Sequence, residues 1–252
     1  MTRDFEGKAI LVTGSTRGIG LATARAFLDR GARVAINGRS ADSVARAIGA
    51  LGGHERLVSA AGSVADAESC RRLVATAREG LGGLDVLVNN AGVLEVGPIE
   101  DHGEALWDRV LDTNLKGTFF CSQAALPALR ASWGSIVNLA STAGLRGYAG
   151  FAAYCAAKGA VINLTRAMAA ECAPDVRVNC VCPTGTDTTM VEAFLGGPED
   201  EAQRAAYEAS LPMKRMATAE EVAEAILFLA SDAASYLSGT ALPIDGAKTA
   251  TD

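Results

Sequence analysis

The chain has 252 residues, 49% hydrophobic and 21% charged, a balance that suits one α/β domain with a large core and excludes disordered, collagen-like and coiled-coil chains. A net charge of −6 without a basic cluster argues against a nucleic-acid partner, because binding that ignores base sequence rests on Lys and Arg against phosphates. No apolar run approaches the ~20 residues that cross a bilayer, and Met1–Lys8 lacks the apolar stretch of a secretory leader, so no membrane association and a cytoplasmic location are expected.

Short β-rich runs alternate with helix-length stretches rich in Ala, Leu, Arg and Glu. In chain order the expected strands are Ala9–Thr13, Arg33–Ile36, Arg56–Ser59, Leu84–Val88, Gly134–Leu139, Val176–Val181 and Ala241–Asp245. Strands alternating with helices imply βαβ units and a parallel sheet. Runs that are apolar throughout imply helices on both faces. The expected architecture is a single Rossmann-type domain over 1–252, a doubly wound sheet of seven parallel strands, with long helices near Glu104–Ala131 and Gly150–Cys172. The stretch 184–218, with Gly196-Gly197-Pro198 and a helical piece near Glu201–Ala209, delays the next helix, Ala219–Ala230. An insertion past the carboxyl end of a strand is where open α/β sheets bind ligands, so this excursion reads as a lid.

The first strand runs into Thr13-Gly14-Ser15-Thr16-Arg17-Gly18-Ile19-Gly20, which opens the first helix. Glycines permit a tight turn and close approach of the backbone to a pyrophosphate, and the helix N-terminus supplies N–H donors. The second strand ends in Ile36-Asn37-Gly38-Arg39-Ser40, with no Asp or Glu for an adenosine 2′-hydroxyl. Arg39 and Arg17 suit a 2′-phosphate instead, so NADP(H) is favoured, with NAD(H) the alternative.

The six cysteines (70, 121, 155, 172, 180, 182) include no Cys-x-x-Cys pair and read as reduced structural thiols, Cys180 and Cys182 on one face of a strand. The two histidines, His54 and His102, lie in polar stretches that read as exposed, and no metal site is expected. A Gly-x-Ser-x-Gly nucleophile elbow is missing, which disfavours a hydrolase.

Tyr154 and Lys158 are four apart in a helical stretch and project from one face, about 6 Å apart along the axis. A free tyrosine has a pKa of ~10 and is a poor proton carrier near neutrality. A nearby lysine cation and the positive ring of an oxidised nicotinamide are expected to lower it. With the glycine turn, Asn89-Asn90-Ala91-Gly92, Asn114 and Ser141, thirteen residues before Tyr154, the pair completes a set of ordered motifs. The chain resembles the short-chain dehydrogenase/reductase family from about Lys8 to Gly246.

That resemblance implies a homotetramer or homodimer, a small ketone or secondary alcohol as substrate, and particular residue roles. Tyr154 would pass the proton, Ser141 would bind the substrate oxygen, Lys158 would bind the nicotinamide ribose, and Asn114 would hold a relaying water. Asn90, Ala91 and Gly92 would line the adenosine ribose side, and Ser63-Val64 stands where relatives often read Asp-Val against adenine. Relatives read Pro-Gly where this chain has Pro183-Thr184-Gly185, and Thr186 and Thr188 would serve the carboxamide and pyrophosphate. Ile244-Asp245-Gly246-Ala247 resembles a final Asp-Gly-Gly with the second glycine lost. Ala143, Arg146, Tyr148, Phe151, Met190 and Phe194 are the expected substrate edge. The expected activity is an NADPH-favouring carbonyl reductase. An NAD-dependent dehydrogenase of a secondary alcohol or cyclic diol is the alternative, and a catalytically silent cofactor-binding module is the alternative of another class. A sugar-nucleotide epimerase would need a longer substrate domain.

Overall fold

Ile10, Leu11 and Val12 are all buried, although successive side chains of a strand point to opposite faces. β1 (Ala9–Val12) must therefore be covered on both sides. The computed structural model, which describes residues 4–197 and 200–251, has that form. Met1–Arg3 of the amino terminus and Pro198 of the Gly-Gly-Pro turn lie outside the described residues. β2 (Arg33–Ile36), β3 (Leu57–Ser59), β4 (Val86–Asn89), β5 (Ser135–Leu139), β6 (Arg177–Pro183) and β7 (Ala241–Ile244) join β1 in one sheet of order β3-β2-β1-β4-β5-β6-β7. Every neighbouring pair is parallel.

The helices are α1 (Gly18–Asp29), α2 (Ala41–Ala50), α3 (Ala67–Leu81), α4 (Glu104–Leu111), α5 (Gly117–Ser132), α6 (Ala152–Cys172), α7 (Thr189–Phe194), α8 (Glu201–Ser210) and α9 (Ala219–Ala230). On one face of the sheet Phe27 of α1, Val44 of α2 and Ile226 of α9 pack on Ile10, Val12, Val88 and Val181. On the other, Leu73 of α3, Leu129 of α5 and Met168 of α6 pack on Leu11, Leu87, Ile136 and Val178. Each such side chain contributes ~1.5–3 kcal/mol on burial. Cys180 and Cys182 belong to a smaller cluster with Ala140, Val161 and Ile162. All six cysteines are free, and only Cys155 is not fully buried.

Several expectations shift. β3 starts at Leu57, not Arg56, whose guanidinium donates to the carbonyls of Leu28 and Ala32. β6 runs on to Pro183. The long helix expected over Glu104–Ala131 is α4 and α5 joined by a π-helical turn, Asp112–Lys116. His102 is half-buried, not exposed, and its Nε2 has no hydrogen-bond partner among the described residues. The excursion after β6 carries α7 and α8 around a small core of Leu195, Leu211 and Met216. Among the described residues no helix is long and apolar enough to cross a membrane. Because the chain leaves β1 toward β2 and returns on its other side as β4, a crevice opens at their carboxyl ends.

Candidate active site

The loop after β1 is braced from beneath. Ser15 Oγ donates to the Val12 carbonyl at 2.7 Å and accepts from the Asn37 N–H at 3.0 Å. Asn37 Oδ1 accepts from the Gly14 N–H at 3.0 Å, and Nδ2 donates to the carbonyls of Ala60 and Gly62 at 2.7 and 3.1 Å. Asn90 Nδ2 donates to the carbonyls of Thr13 and Gly14 at 2.9 and 3.0 Å. The Ser15 side chain, expected at a cofactor, is buried beneath the loop and does not line the cavity, whereas Asn37 both shapes the loop and lines the cavity. Gly14 has φ +62°, and a β-carbon there would stand 2.8 Å from Ala91 Cα, so no other residue fits. α2, α3 and α9 are capped by Ser40, Asp66 and Thr218, whereas α1 follows Arg17 with no side-chain cap. Its first N–H groups remain donors for an anion.

A cavity of about 1080 Å³ follows the carboxyl ends of the strands. One end is lined by Gly14, Thr16, Arg17, Gly18, Ile19, Gly20, Asn37, Gly38, Arg39, Ser40, Ser63 and Val64, and the middle by Asn90, Ala91 and Gly92. The other end holds Ser141, Ala143, Tyr148, Phe151, Tyr154, Pro183, Thr184, Gly185, Thr186, Thr188, Met190 and Phe194. Among the described residues no Asp or Glu lines it, whereas Arg17, Arg39, Arg46, Lys248 and Arg109, the last paired with Glu95, do, so this acidic chain presents a basic cleft. Arg46, Tyr207 and Lys248 escaped the sequence reading, because only the fold brings their helices and the carboxyl-terminal segment to the cleft. Arg146 is a correction: it does not line the cavity but lies over the Tyr148 ring, 5.5 Å from its centroid, and reaches the Lys248 carbonyl.

Ser141 follows β5, and Tyr154 and Lys158 sit in the first and second turns of α6. The Ser141 hydroxyl donates to the Pro183 carbonyl at 3.4 Å and lies near enough to the Tyr154 phenol to influence its titration. Ser141 Oγ also accepts from the Ala143 N–H at 3.1 Å. Lys158 is buried, donates from Nζ to the Leu139 carbonyl at 2.6 Å, and stands 5.6 Å from the Tyr154 ring centroid. Burial pushes the Tyr154 phenol up to about 12, partly offset by the Ser141 hydroxyl. Burial pulls the Lys158 ammonium down to about 8. Among the protein's own groups desolvation is the largest influence on the phenol, and it acts against the lowering expected from Lys158. Asn114, in the π turn, is fully buried; Nδ2 donates to the carbonyls of Val93 and Val110, both at 2.9 Å, and Oδ1 accepts from the Val93 N–H. Its side chain is fully engaged, which leaves its main-chain carbonyl, already accepting from Thr118 Oγ1 at 2.8 Å, as the group able to reach a water.

A family model described as enoyl-(acyl carrier protein) reductase matches residues 14–248. The 2-(S)-hydroxypropyl-CoM dehydrogenase 3 of Xanthobacter autotrophicus is 41% identical, covering 99% of this chain and 100% of its own. The chain belongs to the short-chain dehydrogenase/reductase family. As a member it is an NAD(P)-dependent oxidoreductase. The meso-2,3-butanediol dehydrogenase of Serratia marcescens is 39% identical over 98% of this chain and 97% of its own. The solved structure of the Thermoplasma acidophilum aldohexose dehydrogenase matches with TM-score 0.91 and 31% identity, covering 100% of this chain and 98% of that one. Within this oxidoreductase the lost second glycine leaves a mark: Ala247 sits at φ +73°, a region that costs a residue with a β-carbon ~1–2 kcal/mol.

Proposed function

We propose that this protein is an NADP(H)-preferring carbonyl reductase and secondary-alcohol dehydrogenase, with Tyr154 as general acid–base. The observation that carries this reading is the meeting of the Ser141 and Tyr154 hydroxyls, with buried Lys158 beside them, at one end of a basic cleft. The residues fit a nicotinamide dinucleotide: the uncapped start of α1 suits the pyrophosphate, and the bare Gly14 lets the loop lie against Ala91. When bound, the nicotinamide supplies the hydride donor or acceptor.

The chain's own groups do the rest. Ser141 donates to the substrate oxygen, and Tyr154 gives that oxygen its phenol proton during reduction, becoming the phenolate, which is the form that takes the proton back during oxidation. Lys158 serves the ribose hydroxyls and resupplies the proton, with the Asn114 carbonyl holding the relaying water. Thr186 and Thr188 serve the carboxamide and pyrophosphate, and Ser63 and Val64 the adenine. Arg17, Arg39 and Arg46 line the adenosine end without an ion-pair partner among the described residues, and that supports a 2′-phosphate there. Names of relatives, a hydroxypropyl and a butanediol dehydrogenase, support a small secondary alcohol as substrate. We read the protein as a cytoplasmic homotetramer.

Fluorescence titration with NADPH and NADH tests the cofactor. NADPH is expected to bind more tightly, and Arg39→Ala to erase the difference; a preference for NADH would instead identify an NAD-dependent dehydrogenase. Tyr154→Phe is expected to lose ~10²–10⁴-fold in turnover with cofactor binding retained. Undiminished turnover in that variant would end the Tyr154 assignment.

A further inference from the structure

The excursion after β6 brings into the site a residue that no motif marks. α8 is tied to the loop beneath it by Arg204, whose guanidinium donates to both Asp187 carboxylate oxygens at 3.0 and 2.8 Å. From the same helix the Tyr207 ring comes down onto Gly185. A β-carbon at Gly185 would stand 2.3 Å from the Tyr207 hydroxyl oxygen and 2.5 Å from Cε1, so glycine is required for the ring to lie there. The Tyr207 hydroxyl lies against the Gly185 backbone and beside Thr184, and both offset part of the upward push that burial gives its phenol. Thr184 is the residue that departs from the Pro-Gly of relatives, so the departure and the lid tyrosine meet.

Ring contacts continue toward the reacting groups. Tyr207 meets Phe194 at a centroid distance of 6.4 Å, Phe194 meets Phe151 at 5.4 Å, and Phe151 meets Tyr154 at 6.4 Å. A substrate oxygen bound at Ser141 and Tyr154 places its carbon substituents among these rings. An apolar ring gains there from burial and edge-to-face contact. A second hydroxyl directed at the Phe151 and Phe194 rings would lose water against carbon, which costs more than an ordinary hydrogen bond returns.

We propose that Tyr207 is a specificity-determining residue: seated on Gly185 beside Thr184, its ring closes the substrate pocket beside Phe194 and Phe151, so that the site takes secondary alcohols and ketones bearing an apolar, ring-sized group. This rests on the oxidoreductase reading given above. The test compares kcat/KM for cyclohexanol and butane-2,3-diol in the wild type, Tyr207→Ala, Tyr207→Phe, Thr184→Gly and the double variant Tyr207→Phe/Thr184→Gly. The oxidised cofactor that binds more tightly is used, and its titration checks that each variant is folded. The wild type is expected to favour cyclohexanol, and Tyr207→Ala to cut that preference about tenfold, the scale on which a hydrophobic pocket discriminates. Tyr207→Phe and Thr184→Gly should move the ratio the same way, and the double variant should go no further than the larger single effect, because the two side chains act as one unit. A wild type that prefers the diol, or a ratio unmoved by Tyr207→Ala, overturns the proposal. A wild type that turns over neither alcohol counts against the oxidoreductase reading. The pocket is then judged by the thermal shift that cyclohexanone adds to the cofactor complex: a shift lost in Tyr207→Ala supports the proposal, and no shift in the wild type overturns it.

Discussion

Lys158 is the only charged side chain fully buried among the described residues. Its ammonium is held near 8, below the ordinary 10.5, because the desolvation of its site is only partly offset. The unfolded chain therefore binds the extra proton between those two values, so this group's contribution to stability improves as pH rises through that window. In catalysis the same shift works against alkaline conditions. With the Tyr154 phenol near 12 and protonated throughout, kcat/KM for ketone reduction is expected to be flat below about pH 8 and to fall above it as Lys158 loses its charge. A pH–rate profile checks this; a fall that begins only near pH 10 would remove Lys158 as its source. Asn37 invites a second test, because it stands where an acid would mark an NAD enzyme. Asn37→Asp sets a carboxylate oxygen against the carbonyls of Ala60 and Gly62 in place of a donor. The variant is expected to lose ~1–3 kcal/mol without gaining NADH affinity, seen as a lower Tm and an unchanged NADH titration. A gain in NADH affinity at full stability would show the side chain free to serve the ribose.

At the scale of elements, the lid helix α8 is attached mainly by side chains: the Arg204–Asp187 pair, the small core around Leu211, and Tyr207 on Gly185. Exposed ion pairs contribute only ~0.2–1 kcal/mol. Arg204→Ala should therefore leave the global Tm almost unchanged while hastening amide exchange in 201–210 relative to the sheet. Equal protection in both proteins would mean that the pair does not hold the helix down. The strands, by contrast, are legible in the sequence, because cover on both faces turns each into an apolar run such as Ala9-Ile10-Leu11-Val12. Ser141, Tyr154 and Lys158 are legible too, since one helix face and one strand end carry them. The π turn at Asn114 is not, because Leu111-Asp112-Thr113-Asn114 keeps α spacing and the widened turn depends on bonds to Val93 in a distant loop. Ser15 misleads for the opposite reason: a polar residue in the right place is spent on the backbone around it. Nothing inside α8 says that Tyr207 ends on a glycine of another loop.

At the scale of the whole molecule, an acidic surface surrounds a basic cleft, an arrangement that focuses the field on an anionic dinucleotide. Trp107 of α4 and Phe119 of α5 are 44% and 41% exposed, and Phe228 of α9 is 44% exposed, large apolar groups that suit contact with further copies. Sedimentation is expected to give a tetramer, and Phe119→Glu a smaller species; a monomeric wild type would refute that assembly. The all-parallel sheet bears on how the molecule is made. Parallel neighbours cannot be joined by a tight turn, so no hairpin is available to start the sheet locally. Each pairing waits for a helical crossover to close a long loop, the circumstance that slows folding most. β1 gains its second neighbour only after β2, β3 and their helices have been made and β4 has emerged from the ribosome. The two walls of the nucleotide crevice therefore cannot meet until Val86–Asn89 has been made.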